Sequence, residues 1–479
     1  MPDPPRFSIW ATPSLLGGLV WLATAASLNG FGAVPLAVPG ATLGISGVMQ
    51  FLAPSDRRVT QLGAFAGLIG SVVAIPYFFV LGFGAGFGLL ATSLAGAWGA
   101  GRTAIQVEPD TAGVPKPGAS FKTAAKVTLD EAILCFEALS GATKIPTDGT
   151  LDRVIDELDR AHAFFTRKGF LDRPETYHVP PPELVDPDLR IEEVAGQRVE
   201  VLRFESGYAP AEGEPGRDRW LSYEPCREGW AYVLRHEGPP RPWLIATNGY
   251  RMGHARVDVS IFSRFFKDHG RPGSQGAAGL GLNVLIPVLP LHGPRKIHWH
   301  SGEGFLGIDV LDTLHAQTQA LWDMRRLLSW VQSQGAPAVG AFGLSLGGLT
   351  TANFSSLAGG LSASVPGIPL LSVERILRRH APPPQLAWAI SEGFDLEQVA
   401  ELLRVITPTS LTPKVPKEGR FLFGATGDRL VRPDHVRDLW RHWDEPEIVW
   451  YDGSHLSFGS ETAVWEGVDR LLRTRGLAA

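Results

Sequence analysis

The sequence predicts an α/β chain: a mostly parallel eight-strand sheet with helices on both faces, preceded by an all-α transmembrane region of about four helices. Three observations carry that reading. Residues 7–101 hold only three charged side chains, Asp56, Arg57 and Arg58. From about residue 190, short apolar runs of strand character alternate with helical stretches. Between one such strand and a small-residue helix stands Gly343-Leu344-Ser345-Leu346-Gly347.

Composition sets the outer limits. A chain of 479 residues is too long for one ordinary domain. Its 44% hydrophobic content and mean hydropathy of +0.03 are high for a soluble protein. A net charge of -5 and a pI near 6.2 supply no basic surface, so no nucleic-acid partner is expected. Cys135 and Cys226 alone build neither a disulfide framework nor a zinc site. Arginine outnumbers lysine 35 to 9, and Ala, Gly and Pro abound, as in GC-rich bacterial genomes.

At about 20 residues per crossing, the N-terminal block accommodates three or four spans. Four are expected, at about 9–29, 34–53, 59–77 and 78–99. Small residues four apart at Gly40/Gly44, Gly63/Gly67 and Gly82/Gly86 let helix backbones approach closely in lipid. Trp10, Trp21, Tyr77 and Trp98 mostly fall near the proposed ends, where interfacial aromatics collect. A buried Gly/Ala-rich soluble domain and a signal peptide cleaved near Ala23-Thr24-Ala25 are the alternatives. Arg6, Arg57, Arg58 and Arg102 mark the cytoplasmic side. Four spans then place both termini in the cytoplasm, whereas three would reverse the C-terminal side. The expected location is a multi-pass protein of a bacterial inner membrane with its C-terminal domain cytoplasmic.

A polar stretch with Pro and Gly at 103–119 reads as a linker. Two amphipathic helices follow. In the first, Thr128 and Glu131 fit a capping box, Leu129, Ala132, Ile133, Phe136 and Leu139 line one face, and Gly141 stops the helix. The second runs from Thr150 to Gly169 with Leu151, Val154, Ile155, Leu158 and Phe165 at helical spacing. The pair reads as packing on the following domain or as a platform on the bilayer. Strands are then expected at 197–204, 230–235, 242–247, 283–288, 338–343, 363–366, 420–425 and 447–451. Helices are expected near 256–269, 311–333, 347–358, 434–443 and 461–474. Such alternation argues for a mostly parallel sheet, and runs such as Asn283-Val284-Leu285-Ile286 suit strands buried on both faces.

In a chain with 55 glycines, Gly-X-Ser-X-Gly carries little weight alone. Its context carries more. Pro337–Phe342 reads as a strand ending at the motif, and Gly347–Asn353 as a small-residue helix start. A serine at such a strand-turn-helix apex is poised for acyl transfer. Downstream, the strand Phe421–Ala425 runs into a turn ending at Asp428. The strand Ile448–Tyr451 is followed by a loop reaching His455. The order Ser345, Asp428, His455, each just past a strand, resembles the α/β-hydrolase superfamily, over about residues 190–479. That resemblance implies an esterase- or lipase-like serine hydrolase needing no cofactor, with catalytic groups at the C-terminal edge of the sheet.

The resemblance also implies an oxyanion loop after the third expected strand, often containing His-Gly. Here Asn248-Gly249-Tyr250 follows Trp243–Thr247, so Asn248 departs from the usual histidine. The backbone N–H groups of Tyr250 and Leu346 are the expected oxyanion donors. Ser345 is expected as nucleophile, His455 as general base and acid, and Asp428 as the group orienting the imidazole. Asn248, Gly249, His292, Arg295 and Trp388 are candidate substrate contacts. Arg295 and Lys296 could meet an anionic headgroup, solvated loop residues being the plain alternative. His298 and His300 have ligand-type spacing without a carboxylate or cysteine beside them, so no metal is expected.

Residues 370–418, with prolines at 382–384 and apolar Leu386, Trp388, Ile390, Phe394, Leu396, Val399 and Leu403, read as a helical cap. The expected organisation is thus a transmembrane region 1–106, a linker and helical pair 107–189, and a catalytic domain 190–479 with its cap insertion 370–418. The expected function is a membrane-anchored serine hydrolase acting on lipid or other hydrophobic acyl esters, with the bilayer itself as partner. Thioester hydrolysis, amide or peptide hydrolysis, and a non-catalytic membrane scaffold are the alternatives.

Overall fold

A computed structural model describes residues 7–28, 30–141, 145, 149–267 and 279–478. Arg6 of the orientation argument, and residues 268–269 at the end of one expected helix, lie outside them. The chain forms two compact units. The first comprises Met1–Ala142, Ala425–Asp434 and Trp450–Glu461; the second comprises Thr143–Gly424, His435–Val449 and Thr462–Ala479.

The first unit begins with α1 (Thr12–Ala26, entered through a 3-10 turn at Ile9–Ala11), α2 (Val34–Leu52), α3 (Arg57–Val80) and α4 (Phe83–Val107). All four are long and apolar enough to cross a membrane. Asp56 caps α3 by accepting the Arg58 backbone N–H, and the chain turns from α3 to α4 at Gly82, whose φ is 84°. The joint therefore falls later than the expected 77/78 boundary, and Pro76 is carried inside α3.

Small residues set the packing. A Cβ on Gly18 of α1 would lie 2.6 Å from Gly44 Cα of α2, and one on Gly67 of α3 would lie 2.6 Å from the Ser93 carbonyl oxygen of α4. These helices touch backbone to backbone, as helices in lipid do. Trp21 fills the centre and donates its indole N–H to Ser93 Oγ at 2.9 Å. At one end Trp10 packs edge-on against Trp98, and Arg102 lies over Trp10 at 4.9 Å. Leu19, Val38, Val72, Phe79 and Phe83 face outward, and Phe79 is 89% exposed.

α5 (Phe121–Ser140) differs from expectation. Ser120, whose Oγ accepts the Thr123 N–H, is its cap, and Gly141 at φ 85° ends it. Thr128 lies mid-helix, donating to the carbonyls of Ala97 and Ala124. The face that is buried carries Ala124, Val127, Thr128, Asp130, Glu131, Ala132 and Cys135. Of the residues expected to line one face, Ala132 is buried, whereas Leu129, Ile133, Phe136 and Leu139 are exposed, so that face does not pack on the following domain. The reason is the surface α5 meets: Ala64 and Ala100 of the bundle accept only small residues, and the acids are consumed by partners described below.

The second unit opens with α6 (Gly149–Lys168), which buries Leu151, Val154, Leu158 and Phe165. The remaining elements are β1 (Asp188–Val194), β2 (Gln197–Glu205), α7 (Arg217–Ser222), β3 (Glu228–Leu234), β4 (Trp243–Thr247), α8 (Ala255–Phe266), β5 (Asn283–Val288), α9 (Val310–Ser333), β6 (Val339–Leu344), α10 (Leu346–Leu357) and β7 (Ala363–Gly367). Then come α11 (Val373–His380), α12 (Pro383–Ser391), α13 (Leu396–Leu402), β8 (Phe421–Ala425), α14 (Pro433–His442), β9 (Glu447–Tyr451) and α15 (Thr462–Thr474). Among the described residues nine strands form one sheet in the order β1-β2-β3-β5-β4-β6-β7-β8-β9. β1/β2, β2/β3 and β3/β5 are antiparallel; β5/β4, β4/β6, β6/β7 and β7/β8 are parallel.

All eight expected strands are present. The ninth, β1, is exposed along nearly its whole length and pairs with β2 through a tight Ala195-Gly196 turn, both residues at positive φ. Alternate residues of β6 serve the two covered faces. Ala341 joins a core with Met324, Leu327 and Val331 of α9 and Phe354 of α10. Phe342 packs instead on Phe262 and Phe265 of α8 and Trp465 of α15. This mixed sheet, helix-covered on both faces, has the α/β-hydrolase fold.

Candidate active site

The turn at Ser345 follows from its two glycines. A Cβ on Gly343 would lie 2.1 Å from the Gly347 carbonyl oxygen, and one on Gly347 would lie 2.2 Å from that of Thr247 and 2.4 Å from that of Asn248. No other residue type fits, so β6 can pass into α10 without a spacer. Ser345 itself sits at φ 58°, ψ -114°, a conformation that costs on the order of 1–3 kcal/mol for a non-glycine residue. Its backbone is held on both sides: Ser345 N–H donates to the Gly367 carbonyl at 3.0 Å, and its own carbonyl accepts Leu349 and Leu370 N–H. Among buried neighbours from Val339 to Thr351, Ser345 alone is half-exposed.

The residues expected to bind an oxyanion flank this turn. Leu346 is the first residue of α10, where backbone N–H groups have no partner within the helix. Asn248 and Gly249 follow β4, and a Cβ on Gly249 would lie 3.5 Å from Ser345 Cβ. The Asn248 carboxamide is buried, with neither its oxygen nor its nitrogen hydrogen-bonded. The Tyr250 ring meets His292 edge-on at 6.2 Å, and the Arg251 guanidinium lies over it at 4.9 Å.

The other candidate contacts are placed differently. His292 is buried against Phe305, its Nδ1 bonded to the Pro290 carbonyl. Burial pushes its pKa down to about 4, so it is neutral near pH 7. Arg295 is not a headgroup contact. It is enclosed, paired with Asp323 at 2.9 Å, and donates to the carbonyls of Val288 and Cys226. An isolated loop arginine and a buried one look alike in sequence; the distinguishing partner, Asp323, lies on α9. Lys296, His298 and His300 are exposed, and Trp388 is half-buried on α12.

Asp428 and His455 are brought together in the first unit. Asp428 Oδ2 lies 2.6 Å from His455 Nδ1, and its Oδ1 accepts the backbone N–H of Leu430 and Val431. This bond assigns the proton to Nδ1 and leaves Nε2 as the basic nitrogen. Burial opposes the charged imidazole, but the Asp428 charge and hydrogen bond, with Asp130 adding, more than offset it and raise its pKa. Ser345 is built into the second unit.

Sequence reasoning passed over the group nearest this pair. Asp130 of α5 is fully buried, and its carboxylate accepts the backbone N–H of His455 itself at 2.9 Å. An acidic doublet, Asp130-Glu131, on an otherwise small and apolar helix face was the available signal.

No family model matches the chain. The protein MT2702 of Mycobacterium tuberculosis (strain CDC 1551), itself uncharacterized, is 37% identical over 374 residues, covering 77% of this chain and 86% of that protein. Rv2627c of Mycobacterium tuberculosis (strain H37Rv), likewise uncharacterized, is 36% identical over the same coverage. Among solved structures, an acetyl xylan esterase from Paenibacillus sp. R4 is 16% identical with a TM-score of 0.43, covering 65% of this chain and 93% of that one. Acetyl xylan esterase 1 from Thermoanaerobacterium sp. JW/SL YS485 is 15% identical with a TM-score of 0.41, covering 63% and 98%. Likenesses this distant do not bear on the chemistry.

Proposed function

The chain belongs to the family of the Mycobacterium tuberculosis proteins MT2702 and Rv2627c, and we propose that it is a membrane-anchored serine hydrolase of carboxylic esters. Ser345 Oγ attacks the acyl carbonyl while His455 Nε2 takes its proton. His455 returns that proton to the leaving group, and water repeats the sequence on the acyl-enzyme. Asp428 keeps Nδ1 protonated and stabilises the imidazolium. The N–H groups of Tyr250 and Leu346 receive the developing oxyanion, each such donor contributing about 3 kcal/mol.

The observation that carries this reading is the strained serine. Ser345 is partly exposed, sits on a turn that two tight glycines enforce, and does not use its side chain to cap the helix that follows, the arrangement that presents a hydroxyl for reaction. The Asp428–His455 pair, with its raised imidazole pKa, supports the same chemistry.

The bilayer is the proposed partner. Four apolar helices with outward Leu, Val and Phe support insertion, and Arg57, Arg58 and Arg102 support a cytoplasmic C-terminal side. Lipid or other hydrophobic acyl esters are the proposed substrates, because anchoring concentrates the enzyme beside them. Outward Ile390 and half-buried Trp388 on α12 provide apolar surface in the cap region. Purified wild-type protein should hydrolyse p-nitrophenyl esters, with Ser345→Ala reducing kcat to background. Equal turnover by both proteins would remove the serine from the mechanism.

A further inference from the structure

Helix α5 grips both loops of the acid–base pair. Asp130 Oδ2 accepts the N–H of Arg429 at 3.0 Å and of His455 at 2.9 Å; Oδ1 accepts that of Leu456 at 3.2 Å. One carboxylate thus ties the loop after β8 to the loop after β9, at the residue following Asp428 and at His455. Glu131 beside it accepts Arg429 Nε at 2.6 Å through one oxygen and Thr60 Oγ1 of α3 at 2.6 Å through the other. Arg429 also pairs with Glu108. Nearby, Asp452 accepts Gly118 N–H and Thr123 Oγ1, both at 2.7 Å, and Lys126 pairs with Glu461. A Cβ on Gly427 would lie 3.0 Å from Val127 Cγ2, so the acid's turn is pressed against α5.

Buried backbone N–H groups must be paired, and a buried carboxylate is costly unless donors surround it. Asp130 and the three N–H groups satisfy each other. Any apolar residue there would orphan all three and release both loops. We propose that Asp130 is a positioning residue for the Asp428–His455 pair, which makes α5 and its helical bundle an integral part of the catalytic machinery beyond their anchoring role. This rests on the triad reading above.

Charge sharpens the test. Asp130 is faced by Asp428 and Arg429 from one loop, His455 from the other and Tyr451 of β9, with Glu131 alongside and Glu108 on Arg429. Burial, and next the Asp428 charge, raise the Asp130 pKa to about 7, and where it is ionised its charge helps raise the imidazole pKa. Removing that charge should lower the pKa and move the acid limb of the rate profile to lower pH.

The test is the rate of fluorophosphonate labelling at Ser345 from about pH 5 to 9, using the full-length chain, with thermal melts as folding controls. Asp130→Ala should label about 100-fold more slowly, as loss of about an ångström of alignment does. Asp130→Asn, which keeps size and one acceptor oxygen, should lose less and show its acid limb at lower pH. If Asp130→Ala does not accumulate, Asp130→Asn decides. Folded variants labelling at the wild-type rate, or a slower plateau with an unmoved acid limb, would overturn the proposal. Wild-type protein unlabelled at Ser345 would instead overturn the triad reading beneath it.

Discussion

Gly347→Ala tests whether the elbow is as tight as its geometry requires. The new methyl would lie 2.2 Å from the Thr247 carbonyl oxygen and 2.4 Å from that of Asn248. Both obstacles are backbone atoms at the end of β4, which is paired with β6 on one side and β5 on the other. Neither can rotate away as a side chain would. Reaching ordinary contact needs a shift of about 1 Å, shared between β4 and the start of α10. That start carries Leu346 N–H, the proposed oxyanion donor, and a displacement of that size costs on the order of 100-fold in rate. Overpacking should also destabilise the fold by about 1–3 kcal/mol. Gly359→Ala is the control, because nothing lies within 4 Å of its added Cβ. Ester-hydrolysis kinetics and thermal melts read both effects. Wild-type kcat/KM and an unchanged Tm in Gly347→Ala would refute the reasoning.

Other expectations follow from the same structure. Arg295→Ala strands Asp323 in the interior, so thermal unfolding should show a loss of about 3–5 kcal/mol with KM little changed; a raised KM at full stability would return Arg295 to the substrate. The raised imidazole pKa of His455 places the acid limb of kcat/KM above about pH 6.5, the ordinary histidine value, and a limb below it contradicts the Asp428 pairing. By linkage, the stability His455 contributes is fully present below the unfolded pKa and is lost as pH rises through the folded one. On the proposed membrane anchoring, which outward Phe79, Val80 and Phe83 support, the full-length protein should stay in the pellet after alkaline carbonate extraction; release would contradict spanning.

How much was legible depended on whether a residue's environment is local. The elbow was, because its demand for glycine arises from the adjoining β6, α10 and β4 backbones. Asp428 and His455 were too, each lying a few residues past an apolar strand. β1 was not: its Leu189 and Ile191 are exposed, so no buried face imposes a readable alternation. The buried face of α5 was not legible, for the converse reason. Its large apolar residues face outward, while its buried face is small and acidic to meet a glycine- and alanine-lined bundle and the N–H groups of distant loops. Thr128 and Glu131 imitate a capping box, yet Thr128 bonds to Ala97 and Glu131 to Thr60 and Arg429. The Arg295–Asp323 pair joins the loop after β5 to α9 and leaves no local trace.

The central claim is that Ser345 is the nucleophile. Its most direct test is mass spectrometry of the full-length protein after fluorophosphonate treatment, followed by peptide mapping. The account predicts one adduct, on the peptide containing Ser345, absent after denaturation and much reduced in His455→Ala. An unmodified Ser345, or an adduct on another residue that persists in Ser345→Ala, would contradict it.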